Sequence, residues 1–309
     1  MLSFLPAPLR GLLAFLFMAL NTLISIVPLL VVTLFRLLIP IKPWGRVCAW
    51  VMIKIAENWM AVNSLILSLS GRIRIDLRGA EDLHYHGWYL VSCNHQSWSD
   101  ILILQKVFNR RIPMLKFFLK QELIWVPLMG VAWWALDFPF MKRYSKEFLL
   151  KHPEMKGKDL ETTRKACEKF KELPVSVMNF LEGTRFTTAK HDAQGSPYQH
   201  LLKPKSGGIA FVLSAMGGQL RSMLDVTIVY HDKAIGFWDL LCGRVHRLTV
   251  HIVERPIPAQ FSRGDYESDP AFRAEFQEWV NQLWLEKDAL ITSIKQESVF
   301  SNQGSNERV

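Results

Sequence analysis

The sequence predicts an α/β domain with a mixed, largely parallel sheet flanked by helices, preceded by an N-terminal membrane-associated helical hairpin. Three observations carry that expectation. From residue 71 onward, short apolar runs alternate with segments of helical periodicity. The two polar clusters richest in chemistry each follow such a run. Residues 11–35 contain no charge and are dominated by Leu, Phe, Val and Ile. About 25 helical residues rise ~37 Å, enough to cross a hydrocarbon core of about 30 Å with tilt. The organisation expected is residues 1–70 as a two-helix membrane segment, 71–295 as the α/β domain and 296–309 as a disordered tail.

Composition narrows the classes. The chain has 309 residues, so it can bury a sizeable core, and its 50% hydrophobic content is concentrated at the N-terminus. A formal charge of +9 draws the surface toward anionic headgroups or phosphorylated ligands. Nucleic acid competes on charge alone, and no finger or aromatic-basic motif accompanies it, so no specific nucleic acid is expected. Cys48, Cys93, Cys167 and Cys242 lie far apart and form no Cys-x-x-Cys pair, as separate thiols of a reducing compartment would. There is no His-Glu-x-x-His, zinc spacing or phosphate loop, so neither a metal nor a nucleotide is implied.

Taken in order, residues 44–69 carry Arg46, Lys54 and Glu57, with Cys48, Met52, Ile55 and Trp59 at helical spacing. Such a helix lies in the interface, packs back on the first, or spans poorly. Residues 71–77 alternate as a half-buried strand, and His84 and His86 fall in a polar turn as exposed loop residues. Residues 88–93 read as a buried strand and 100–107 as the helix after it, which leaves His95 in the turn between. With Asp100 on the first helical turn, its carboxylate can hold one imidazole tautomer and make the other nitrogen a proton acceptor. Taken alone, that spacing equally suits a structural His and an ordinary N-terminal helix carboxylate.

Residues 112–120 bring Lys116 and Lys120, either of which could reach a phosphate. Residues 127–134, with Trp133 and Trp134, suit a core or an acyl-chain groove equally. A basic loop is expected over 144–157 and a charged surface helix over 159–173. Residues 175–180 form a strand that delivers Glu182-Gly183-Thr184-Arg185 to a turn. Gly183 permits close backbone approach, Thr184 adds a hydroxyl and Arg185 a planar donor fork suited to phosphate, with Glu182 orienting these donors. A salt-bridged turn would explain the same run. Lys203 and Lys205 add cations before an apolar helix at 209–216. Strands follow at 224–230 and around Leu248, Val250 and Ile252, and between them Phe237, Trp238, Leu240 and Leu241 form a cluster suited to lipid contact. A closing amphipathic helix starts at Asp269 or Pro270.

Asn94, His95 and Asp100 together with Phe180, Glu182, Gly183, Thr184 and Arg185 resemble the motifs of the glycerolipid acyltransferase family that includes 1-acylglycerol-3-phosphate acyltransferase. Leu181 stands where that family has Pro. Lys120, Glu122 and Leu123 match an intervening Lys-x-Glu-Leu, and 140–143, ending in Arg143, match a second block more loosely. The likeness covers roughly residues 72–230. It implies His95 and Asp100 as catalytic residues, with Glu182, Gly183, Thr184, Arg185, Lys120 and Arg143 at the substrate phosphate. It also implies a lysophospholipid acceptor, foremost lysophosphatidic acid, and acyl-CoA or acyl carrier protein as donor substrate, without a cofactor. The setting implied is the lipid bilayer of a bacterial inner membrane, catalytic domain on the cytoplasmic face, and Arg36, Lys42, Arg46 and Lys54 near the hairpin ends agree with that side. Alternatives are another acceptor such as a lysocardiolipin-like lipid, a serine hydrolase, for which no Gly-x-Ser-x-Gly exists, and a non-catalytic membrane interaction protein.

Overall fold

The computed structural model describes residues 4–141, 151–152, 167, 170, 173–216, 218–220, 222–233, 235–262, 264, 266 and 268–306. Its strands are β1 (Arg74–Arg78), β2 (Tyr89–Cys93), β3 (Leu115–Phe117), β4 (Leu119–Lys120), β5 (Phe140–Met141), β6 (Ser176–Phe180), β7 (Ser222–Tyr230) and β8 (Arg247–Pro256). Six of these form one sheet in the order β1-β8-β7-β2-β6-β3, while β4 and β5 pair apart. Every neighbouring pair in the large sheet is parallel except β7 with β8. The mixed, largely parallel sheet is therefore present. Its central strands β2 and β7 are buried along their whole length, including the polar Ser92, Asp225 and Thr227 among their apolar residues, as strands covered on both faces are.

The helices are α1 (Ala7–Leu38), α2 (Lys42–Ser70), α3 (Ser99–Phe108), α4 (Met129–Ala135), α5 (Thr188–Gln194), α6 (Gly207–Met216), α7 (Phe237–Leu241) and α8 (Pro270–Asn306). Alternation along the strands feeds two apolar layers. Leu90, Val177, Met223 and Val229 join α6 and α8 through Phe276 and Trp284. On the other face, Val91, Met178, Val226 and Ile228 pack with Ile103, Leu104 and Phe108 of α3.

The closing helix begins at Pro270, where Asp269 Oδ1 accepts from the N–H groups of Ala271 (2.9 Å) and Phe272 (3.1 Å). It continues through the stretch expected to be a disordered tail, as far as Asn306. Glu297 explains part of that extension: its carboxylate accepts from Arg78 of β1 at 2.9 Å, which docks the polar turn against the sheet edge. Residues 144–150, 153–157 and most of 159–173 lie outside the described residues.

α1 and α2 form the hairpin. Asn21 Nδ2 donates to Asn63 Oδ1 (2.9 Å) and to the Trp59 carbonyl (3.0 Å), and Trp59 Nε1 donates to Thr22 Oγ1 (3.0 Å), fixing the register of an otherwise apolar pair. The two charges in the middle of α2, Lys54 and Glu57, are absorbed by the protein. Lys54 pairs with buried Glu57 at 2.8 Å, and Glu57 also accepts from the Tyr85 hydroxyl. Lys106 of α3 donates to Ser68 Oγ at 2.9 Å. α2 is thus wedged between α1 and the sheet domain rather than lying alone in an interface. α1 is long and apolar enough to cross a membrane and leaves Leu16, Leu23, Ile24, Val27 and Leu34 exposed. At its base, a Cβ on Gly11 would stand 2.6 Å from Cys242 Sγ and 3.2 Å from the Trp238 ring, so glycine lets α1 sit on α7. The cluster expected to touch lipid is therefore half core: Leu240 and Leu241 are buried, and Phe237 and Trp238 remain exposed.

Candidate active site

Beyond the end of β2, the Asn94 side chain continues the pairing with β7. Its Nδ2 donates to the Ile228 carbonyl and its Oδ1 accepts from the Ile228 N–H, both at 2.9 Å. That clamp sets the direction in which the chain leaves the sheet. The His95 N–H donates to Glu182 Oε1 at 2.7 Å, its carbonyl accepts from Phe186 N–H at 2.7 Å, and its ring stacks on Phe180 with centroids 3.9 Å apart. The first turn of α3 then returns Asp100, whose Oδ2 lies 2.8 Å from His95 Nδ1. The same oxygen accepts from the N–H groups of Gln96 (2.7 Å) and Ser97 (2.9 Å), and Oδ1 accepts from the Tyr230 hydroxyl at 2.7 Å. Fully buried Asp100 is thereby held by four donors. With its proton on Nδ1 toward that carboxylate, the ring has Nε2 left as acceptor.

Phe180, the last residue of β6, is in register with Cys93, the last of β2. The turns that follow are consequently neighbours, although His95 and Glu182 are 87 residues apart. Gly183 sits at φ +67°, a left-handed conformation that favours glycine, and a Cβ there would come within 3.3 Å of Lys205 Cδ. Lys205 can therefore fold over the turn. Thr184 Oγ1 accepts from Lys190 Nζ at 2.8 Å, which leaves its own proton to donate. The Arg185 guanidinium lies over the Trp98 ring, 4.9 Å from its centroid. His95, Trp98, Gly183, Thr184, Arg185 and Lys205 line one cavity of about 550 Å³. It opens at the carboxyl ends of parallel strands, the general place for ligands in such sheets.

Other expected residues are placed elsewhere. Glu182 is buried and turned from the cavity, its Oε1 taken by His95 N–H and its Oε2 by Leu202 N–H at 3.0 Å. Burial raises this carboxyl to about 7 despite the two N–H donors. A buried acid cannot hold a phosphate, so its assignment to the phosphate group is corrected: Glu182 is a strut between two loops. Lys120 is exposed on β4 and is not among the residues lining the cavity, because β4 pairs with β5 away from the large sheet. Lys203 does not line it either, and Arg143 lies outside the described residues.

Two participants escaped sequence reasoning. Tyr230 ends an apolar strand, and the signal for it was that a buried Tyr needs a partner for its hydroxyl. Trp98 lay within the His95 motif, but nothing local foretold the cation above it.

A second cavity, about 360 Å³ and largely apolar, opens between the hairpin and α3 and α4. Ile26, Leu29, Trp59, Ile101, Trp133 and Phe138 are among its walls. Trp133 thus faces a groove, whereas Trp134 is exposed. Both cavities reach His95, Trp98, Phe117, Phe118 and Phe180.

Comparisons with known proteins bear on the family and the fold. The acyltransferase family model matches residues 74–231. The chain is similar to 1-acyl-sn-glycerol-3-phosphate acyltransferase gamma of Mus musculus, 26% identical over 199 residues, covering 61% of this chain and 48% of that protein. It is also similar to 2-acyl-1-lysophosphatidylinositol acyltransferase of Saccharomyces cerevisiae, 24% identical over 258 residues, covering 72% of this chain and 65% of that one. The chain spans about half the length of the first of these relatives. Among solved structures, the 1-acyl-sn-glycerophosphate acyltransferase PlsC of Thermotoga maritima superposes with a TM-score of 0.53 at 19% identity, over 91% of this chain and 97% of that one, which shows a shared fold.

Proposed function

We propose that this chain, which belongs to the acyltransferase family, moves a fatty acyl group from a thioester donor to the free hydroxyl of a lysophospholipid, with lysophosphatidic acid as first acceptor and phosphatidic acid as product. One observation carries the reading: the His95 ring, backed by Asp100, stands in the wall shared by a cationic cavity and an apolar chamber. The cationic side suits a phosphate, through the Arg185 fork, Lys205 and the Thr184 hydroxyl, with Gly207 and Gly208 at the start of α6 lining the same space. The apolar side suits an acyl chain. A site that joins these two chemistries at one base fits a molecule that combines them.

In the mechanism, His95 Nε2 accepts the proton of the acceptor hydroxyl as that oxygen attacks the thioester carbonyl. Asp100 stabilises the resulting imidazolium without changing its own charge. Collapse of the tetrahedral intermediate breaks the C–S bond, and the imidazolium returns the proton to the leaving thiolate. General-base help of this kind is worth ~10²–10⁴-fold, and fixing both substrates at one base contributes much of the remainder. A hydrolase using Ser97 is disfavoured, since that hydroxyl donates to the Ile235 carbonyl.

The exposed apolar face of α1 supports a position in a membrane, where the acceptor already resides. A soluble donor, acyl-CoA or acyl carrier protein, then reaches the site from the cytoplasmic face of a bacterial inner membrane, in keeping with Arg36, Lys42 and Arg46 at the hairpin turn. The test is transfer of labelled acyl groups from each donor to lysophosphatidate, lysophosphatidylinositol and a lysocardiolipin-like acceptor. Wild type should form the diacyl product and folded His95→Ala should lose it. Undiminished transfer by His95→Ala, or release of free fatty acid in place of lipid, would defeat the proposal.

A further inference from the structure

Residues 121–137 form a compact flap beside α1. A 3-10 turn (Gln121–Trp125) leads into α4, and a Cβ on Gly130 would lie 1.9 Å from the Ile124 carbonyl oxygen, so the turn and the helix touch backbone to backbone. The inner face of α4 lines the apolar chamber with Met129, Ala132 and Trp133. The outer face is also apolar but uncovered: Trp125 is 84% exposed, Val131 44% and Trp134 47%, with Val126 and Leu128 between them. A run of large apolar side chains at this exposure marks a contact surface.

Three features identify what it contacts. The flap is tied to α1 by the Arg36–Asp137 ion pair at 2.8 Å and to both hairpin helices by packing of Ala135 with Leu29 and Met52, which seats it beside α1, whose Leu30, Val31 and Leu34 are exposed. Beside it, Lys42 and Arg46 line a groove that also holds the Arg36–Asp137 pair, and these two cations complement anionic headgroups. Two of the exposed side chains are Trp, whose ring suits the boundary between headgroups and acyl chains.

We propose that residues 125–134 are a second bilayer contact, seated in the lipid beside α1, which makes α4 the partition between the membrane and the apolar chamber. The inference rests on the membrane position given under Proposed function. Among the described residues, this short helix then stands between an acyl chain of a bilayer lipid and the chamber.

Depth can be read with a nitrobenzoxadiazole label on Trp125→Cys, and as a control on Ile24→Cys of α1, where Ile24 is 63% exposed. The four native cysteines are buried, which directs the label to the new thiol. In vesicles of phosphatidylethanolamine and phosphatidylglycerol, both labels should shift to the blue, be quenched by spin-labelled lipid and be shielded from iodide. A label at 125 open to iodide while that at 24 is shielded overturns this inference and leaves the membrane position intact. Iodide access at both positions overturns the two together. Shielding at 125 without quenching from lipid indicates a protein partner or a second copy on the flap, and also overturns it. Replacing Trp125 and Trp134 together by Ser should raise KM for vesicle-borne acceptor about tenfold or more, given the apolar area two indoles bury, and leave KM for a monomeric short-chain acceptor unchanged. Equal KM values in vesicles would contradict the proposal.

Discussion

Replacing Tyr230 by Phe removes one oxygen from the catalytic region and keeps the ring. The hydroxyl donates to Asp100 Oδ1 at 2.7 Å, and burial together with the Asp100 charge holds the phenol well above its usual range, so it is a donor at every working pH. Asp100 keeps its other three donors, His95 Nδ1 and the N–H groups of Gln96 and Ser97, all of them on Oδ2. A hydrogen bond to a buried charged group is worth ~1.5–3 kcal/mol, which should appear as a Tm several degrees lower. The chemistry should respond differently from the stability. With one oxygen stripped of its donor, the Asp100 charge is less spread and attracts a protonated imidazole more strongly. The acid limb of kcat/KM should then move to higher pH by up to about one unit, while the plateau kcat falls by no more than about tenfold. Cys93 on β2, which is close to both Asp100 and Tyr230, and Glu182 beyond β6 are other ionisable groups near this carboxylate, and both are buried. The assay is transfer of labelled acyl groups to lysophosphatidate from pH 5 to 9. An acid limb that stays in place or moves down, with kcat as low as in His95→Ala, would mean that Tyr230 acts on substrate directly and that the positioning argument fails.

Other consequences follow from the same geometry. Glu182 has a folded value of about 7 against an ordinary 4.5, so its protonated form is favoured by the fold. The stability it contributes is complete below about 4.5 and lost as pH rises through about 7, to the extent of ~3 kcal/mol. Melting curves of Glu182→Gln should lack that slope, and parallel wild-type and mutant curves would contradict it. Arg185→Lys keeps the charge but loses the fork and the stacking on Trp98. It should raise KM for lysophosphatidate about tenfold with kcat within a few-fold, as read by steady-state kinetics. Ala132 lines the apolar chamber from α4, so Ala132→Phe should shift preference toward shorter acyl donors by about tenfold in kcat/KM, measured by direct competition.

Some features of the site were legible because they are local. Five residues separate His95 from Asp100, and a strand followed by a helix brings them together without help from the remainder of the chain. The start of α8 was legible from Asp269 and Pro270, whose chemistry caps a helix wherever it lies. The end of α8 was not, because composition alone reads residues 296–306 as tail, while Glu297 meets Arg78 across 219 residues. Lys120 illustrates the reverse case. Its spacing fitted the motif, but the pairing of β4 with β5 takes it off the large sheet, and strand pairing is not a local property.

By itself, then, the sequence determined the apolar hairpin, the alternation of strands and helices, and the two polar turns that end β2 and β6, since hydrophobic periodicity and turn chemistry act over a few residues. The tertiary structure alone decided that Cys93, Phe180 and Val226 lie side by side in register. From that register come the Tyr230 hydroxyl on Asp100, the burial of Glu182 beneath His95 and the Arg185 guanidinium on Trp98. Each joins residues far apart in the chain, and their approach is set by how the strands order and pack.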